Sequence, residues 1–142
     1  NTDDKNALVS VNDNGELHKV ITNAVKEIDA EGATKADLGL EMATNIFANN
    51  PVEGGRQRVV VFLTDGEPTS YNGFEYSIAN VAIQNAYQLK NTYDATVYSV
   101  GVFDRNTSAD RSVNNFMNYV SSNYNEEVVM KKKDWYSEKK AA

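Results

Sequence analysis

The chain has 142 residues, a hydrophobic fraction of 41% and a formal net charge of −6, enough length for one domain with its own core and too little to expect a second. That charge, with a sequence pI of about 4.8, excludes the basic surface that binds phosphate backbones or anionic membranes. The absence of cysteine excludes disulfides and thiolate metal sites and suits either a reducing cytosol or a surface protein built without them.

Ala7 to Val11 is a candidate short strand. Leu17, Val20, Ile21, Ala24, Val25 and Ile28 then recur at helical spacing and predict an amphipathic helix starting near Asn14 or Gly15. After Glu31-Gly32-Ala33-Thr34, the pattern Ala36, Leu40, Ala43 and Phe47 predicts a second helix, with Gly39 small enough for close packing. Asn49-Asn50-Pro51 and Gly54-Gly55 mark a loop.

Val59 to Leu63 is apolar throughout, which predicts a parallel strand covered on both faces. Ile78, Val81, Ala82 and Leu89 predict a helix, Ala95 to Phe103 another buried strand, and Val113, Phe116, Met117 and Val120 a further helix. Strand, helix, strand, helix is the βαβ alternation of an α/β fold with a mostly parallel sheet flanked by helices. Val128 to Met130 is a second candidate short strand; residues 125–142 are otherwise a tail, solvated from Lys131 on, with Trp135 the residue expected to dock. The whole chain, 1–142, reads as a single domain. Its opening Asn1-Thr2-Asp3-Asp4 and its lack of a signal core or membrane-spanning run read as a piece cut from a longer protein.

In open parallel sheets, ligands bind beyond the carboxyl ends of the strands. Thr64, Asp65 and Gly66 fall there after one strand, and Phe103 and Asp104 after the other. Asp65 either takes a hard cation, directly or through water, or forms the turn with Gly66. Thr34, opening a helix, either caps it or offers its hydroxyl as a ligand, and Asp37 three residues on strengthens the capping alternative. Thr69 to Phe74 and Asn106 to Arg111 are the loops expected to vary with ligand.

Enzymatic chemistry finds little support. His18, the single histidine, lies at the edge of an apolar stripe and reads as a surface residue. Asp65 with Glu67 lies across a turn and gives no ground for an acid and base pair. There is no phosphate-cradling glycine loop, no nucleophile elbow and no dinucleotide fingerprint. The chain reads as no enzyme.

The order and content of GATKADLGLEMA (Gly32 to Ala43), VVVFLTDGEPT (Val59 to Thr69) and ATVYSVGVF (Ala95 to Phe103) resemble the von Willebrand factor type A domain. The nearest look is to such domains on surface and pilus-type proteins of Gram-positive bacteria, where phrases like FMNYVSSNY (Phe116 to Tyr124) also occur. The resemblance implies a three-layer, Rossmann-like fold and a metal-ion-dependent adhesion site at the carboxyl edge of the sheet. By that pattern Thr34 and Asp65 are metal ligands for Mg2+, Mn2+ or Ca2+, and Glu67, Thr69 and Asp104 are ligand-rim residues. It further implies an extracellular location on the cell surface or cell wall, and a protein partner such as host matrix or pilus subunits.

The family's Asp-x-Ser-x-Ser loop occurs nowhere in this sequence. The expectation is therefore an incomplete domain that begins after the family's first strand, with metal binding weak or absent. The alternative function is a metal-free structural or assembly module. Exposed sheet edges would then favour a homodimer.

Overall fold

A computed structural model describes residues 19, 22–23, 26–27, 34–51, 55–64, 67–70, 73–103 and 111–131. The chain divides into two compact units, Asn1–Gly32 and Ala33–Ala142. In the first, Lys19, Thr22, Asn23 and Lys26 are helical, and Glu27 N–H donates to Asn23 O at 3.1 Å. Lys19, Asn23 and Lys26 are exposed, as the polar side of an amphipathic helix requires. The apolar stripe Leu17, Val20, Ile21, Ala24, Val25 and Ile28 and the candidate strand Ala7 to Val11 lie outside the described residues.

The second unit runs α1 (Ala36–Asn49), β1 (Arg58–Thr64), β2 (Thr69–Ser70), β3 (Gly73–Phe74), α2 (Tyr76–Asn91), β4 (Ala95–Gly101) and α3 (Arg111–Val120). β1 and β4 pair in parallel, with Val60 opposite Val97 and Thr64 opposite Gly101, and α2 is the crossover between them. β2 and β3 form a small antiparallel hairpin, Thr69 opposite Phe74. Gly73, at φ 93, takes a backbone conformation there that a side chain would strain.

α1 buries Ala36, Leu40 and Thr44, positions four apart that fall on one helical face. The Thr44 hydroxyl donates back to Leu40 O at 2.9 Å, which lets a polar residue sit on that face. Asn50 Nδ2 donates to Ile46 O at 2.8 Å, satisfying a carbonyl of the last turn before Pro51 ends any continuation. α2 buries Ile78, Ala79, Ala82, Ile83, Ala86 and Leu89, and its alanines leave room for close packing against α1. Asp94, at φ 51, turns the chain from α2 into β4 in the left-handed region that aspartate tolerates better than most residues.

Leu40, Ala82, Ile83, Leu89, Val97 and Phe116 belong to one core cluster, with Val60 and Phe62 packed against it. Phe62 and Phe116 meet edge to face, ring centroids 6.1 Å apart. Phe116 is fully buried, so Phe116→Ala would cost ~3–5 kcal/mol.

Four expectations are corrected. The apolar run of β1 is covered on one face, not both: Val60 and Phe62 meet the helices, whereas Val59, Val61 and Leu63 are exposed, Leu63 at 64%. β4 repeats this, with Val97 buried and Tyr98 and Val100 exposed. All three labelled helices contribute to the core on the same side of the sheet, and a run of consecutive apolar residues carries no record of which face is covered. β4 stops at Gly101 rather than Phe103, and the Phe103 ring folds back against Gly101. Gly39 is exposed, and a Cβ added there would meet nothing within 4 Å beyond its own helix, so the position does not require a glycine for close packing. Val128 to Met130 forms no strand; Asn80 holds its backbone instead.

The termini of the sheet are fixed by side chains. At the amino end of β1, Arg58 lies between the Phe47 and Tyr93 rings, 5.1 and 5.4 Å from their centroids. Its guanidinium donates to the carbonyls of Tyr93, Phe47 and Asn50. On β4, Ser122 N–H donates to Val97 O at 2.9 Å while Ser122 Oγ accepts from Val97 N–H at 2.8 Å, so part of that edge is closed to another strand.

Candidate functional site

The carboxyl ends of β1 and β4 converge where Val102 N–H donates to Thr64 O at 2.8 Å. Thr64 is buried, which fixes the point where the chain leaves the sheet. Between α1 and β1 runs a groove of about 510 Å³, its walls including Thr34, Ala36, Leu40, Phe62 and Thr64. Thr34 therefore borders the same groove as Thr64 at the carboxyl end of β1.

Thr34 does not cap the helix behind it. Lys35 holds the N-cap position of α1, and no side chain makes a capping hydrogen bond there. Among the described residues the Thr34 hydroxyl has no hydrogen-bond partner, while its backbone is held at two points. Thr34 N–H donates to Thr69 Oγ1 at 3.2 Å, and Thr34 O accepts from Thr69 N–H at 3.3 Å. The strand-to-hairpin loop thus pins the peptide of Thr34 and leaves its side chain uncommitted.

Thr69 is itself anchored. Pro68 is fully buried, and its carbonyl accepts from Glu75 N–H at 2.8 Å. Glu75 is the N-cap residue of α2, and its carboxylate accepts from Ser70 Oγ at 3.3 Å and Ser77 Oγ at 2.8 Å. One path of hydrogen bonds and covalent neighbours therefore runs from the start of α1, through Thr34, Thr69 and Pro68, to the start of α2.

Of the five residues expected at the site, the structure brings Thr34 and Thr69 together and places half-buried Glu67 just before Pro68. Asp65 and Asp104 lie outside the described residues. Sequence reasoning missed the hydrogen-bonded role of Thr69, and the only signal was its place after the Gly-Glu-Pro turn.

A hydroxyl and a carboxylate are oxygen donors of the kind a hard cation takes. Thr34 offers an uncommitted hydroxyl, but the groove it borders is otherwise lined by Lys35, Thr64 and apolar residues, with no carboxylate among the described residues. Those residues do not make a complete shell, since no cluster of three or more His, Cys, Asp or Glu suited to a metal ion is found among them. Nor, among the described residues, is any helix long and apolar enough to cross a membrane.

A parallel β1–β4 pair joined by a helical crossover, with a rim at the strand carboxyl ends, defines an α/β domain of the Rossmann-like kind. The model of the von Willebrand factor type A domain matches residues 3–141, and the chain belongs to that family. No curated protein and no solved structure matches it. Domains of this family typically mediate protein–protein interaction rather than catalysis, and they often bind a divalent metal ion.

Proposed function

We propose that this chain is an extracellular adhesion module whose partner-binding surface is the rim at the carboxyl ends of β1 and β4. In this reading Thr34 and Asp65 hold a divalent cation, Mg2+ in the first instance and Mn2+ or Ca2+ as alternatives. An acidic group of the partner completes the coordination shell. Glu67, Thr69 and Asp104 border the contact. The parent protein belongs on the cell surface or cell wall of a Gram-positive bacterium, and its partner is a protein of the host matrix or a pilus subunit.

The observation that carries this reading is the state of Thr34: its peptide is fixed by Thr69 while its hydroxyl caps nothing. A threonine in the capping role would direct that oxygen into the helix. Calorimetric titration with Mg2+ and then Mn2+, beside an Asp65→Ala control, tests it. Saturable binding lost in the control is expected, and a wild-type chain that takes up neither ion would refute the metal-dependent reading.

The exposed apolar face formed by Val59, Val61, Leu63, Tyr98 and Val100 favours a second reading, a structural or assembly module that needs no metal. Contiguous apolar surface of this kind marks interaction sites, and a second copy of the chain is the simplest occupant. Sedimentation velocity of the purified chain decides: a dimer supports this reading, and a monodisperse monomer at high concentration removes it.

A further inference from the structure

The two outer edges of the β1–β4 sheet are not alike. On β4 the peptide groups of Val97 point outward, and Ser122 takes both of them, at 2.9 and 2.8 Å. On β1, Thr64 turns its carbonyl toward β4, where Val102 N–H donates to it at 2.8 Å. Successive residues of a strand point their N–H and C=O to alternate sides, so Val59, Val61 and Leu63 turn theirs away from β4. Among the described residues, none of those groups has a hydrogen-bond partner.

A groove runs along that open edge. Every residue from Val60 to Thr64 lines it, whichever face its side chain takes, and the opposite wall is Ala36, Gly39, Leu40 and Ala43 of α1. Such a length of strand spans about 16 Å. The walls are mostly apolar, and the outward peptide groups recur at every second residue, a pattern of donors and acceptors that another extended chain repeats. α1 runs antiparallel to β1, since Arg58 at the start of the strand reaches the carbonyls of Phe47 and Asn50 at the end of the helix. Exposed Lys35, the charged residue of the lining, therefore stands at the carboxyl end of β1. Arg56 is exposed just before the amino end. Both ends of the edge are thus basic, in a chain of net charge −6.

We propose that this edge is a strand-acceptor site: it takes an extended segment of a partner protein, apolar at alternate positions and flanked by acidic residues, as a third strand beside β1. The backbone ladder supplies the affinity, and the α1 wall selects the side chains that enter the groove. Lys35 and Arg56 select the acidic flanks, because opposite charges across an interface fix register and like charges reject wrong partners. The same two residues argue against a second copy as the occupant: one β1 set beside another, in either direction, brings basic ends against basic ends. Binding here needs no cation and uses the edge of β1 rather than its outer face, so it goes beyond both readings above.

The test uses the full chain and a capped peptide, Glu-Val-Thr-Val-Thr-Val-Glu. One control peptide has lysine at both ends, and a second has proline at the centre, which cannot complete a ladder. Affinity is measured by calorimetry and amide exchange by NMR. The acidic peptide is expected to bind and to slow exchange at Val61 and Leu63 about tenfold or more at saturation, while Val60 and Phe62, already turned toward β4, stay unchanged. The proline peptide does not bind. Lys35→Glu weakens the acidic peptide about twofold to fivefold and favours the lysine-ended one. Gly39→Phe, whose added side chain enters open space in the groove, abolishes binding and leaves the thermal midpoint at or above the wild-type value.

Equal binding of the acidic and lysine-ended peptides, binding of the proline peptide, or slowed exchange without the alternation along β1 overturns the proposal. Slow exchange at Val61 and Leu63 in the chain without peptide overturns it as well: protection that grows with concentration makes a second copy the occupant, and protection independent of concentration makes it the chain's own backbone. Failure of the acidic peptide to bind overturns it whatever the response to Mg2+ or Mn2+.

Discussion

Asn80 grips Met130 from fifty residues away: its Nδ2 donates to Met130 O at 3.0 Å and its Oδ1 accepts from Met130 N–H at 2.8 Å. An asparagine amide carries a donor and an acceptor side by side, so it can satisfy one whole peptide unit. The extended segment after α3 is held to α2 by this clamp, and Met130 packs against the core beneath it.

Asn80→Asp keeps the shape and removes the donor, placing a carboxylate oxygen against the Met130 carbonyl. We expect a loss of about 1–3 kcal/mol in chemical denaturation, together with faster proteolysis after Tyr124. Unchanged cleavage of that segment would show that Met130 is held by packing alone.

Lys90 does for the end of α3 what Asn80 does for Met130. Its Nζ donates to the carbonyls of Tyr119, Ser121 and Tyr124 at 2.9, 3.0 and 2.6 Å, where a helix has unpaired carbonyls and a cation is favoured. Lys90→Met leaves those acceptors without their donor and should cost about 1–3 kcal/mol. Burial pushes the Lys90 amine below its ordinary value of 10.5, so as pH rises the folded chain releases this proton before the unfolded one does. The stability contributed by this group therefore increases with pH between the folded value and 10.5. Denaturation midpoints of both chains at alkaline pH should show that increment in the wild type and not in Lys90→Met.

Gly101 has no room for a side chain. A Cβ there would strike the Phe103 ring and lie 2.9 Å from Met117 Cε. Gly101→Ala must displace Phe103, and the overpacking should cost about 1–3 kcal/mol. The near-ultraviolet circular dichroism of the variant would change with the aromatic environment; an unaltered spectrum and midpoint would mean that Phe103 swings aside freely.

Arg58 combines planar stacking with three carbonyl acceptors. Lysine keeps the charge but loses the fork and the flat stacking face. Arg58→Lys should therefore destabilise by about 1–3 kcal/mol, read as a lower urea midpoint at unchanged slope.

What could be read from the sequence divides along physical lines. The helices of Ala36, Leu40 and Ala43, of Ala82 and Leu89, and of Phe116 and Val120 are legible because periodic burial repeats within a few residues. The clamps of Asn80 on Met130 and Lys90 on Tyr124 join positions far apart in the chain, and neither residue's local pattern differs from that of an ordinary polar helix position. Val59 to Leu63 announced a strand, but its uniform composition concealed the alternation of exposure. At the rim, the Thr-Asp-Gly motif drew attention to the carboxyl end of β1, but Asp65 and Gly66 lie outside the described residues. That Thr34 would leave its helix uncapped depends on where Lys35 falls, which spacing does not reveal, and its tie to Thr69 crosses thirty-five positions.

The uncovered face of β1 and β4 also governs how the chain behaves in bulk solution. Several large apolar side chains stand open to water there, Leu63 at 64% and Val61 at 58%, and the net charge of −6 opposes unlimited association through them. Near the pI of about 4.8 that opposition vanishes, and in sulfate the apolar attraction strengthens. The chain should therefore be colloidally robust at neutral pH and low salt, and precipitate early on either acidification or salting out.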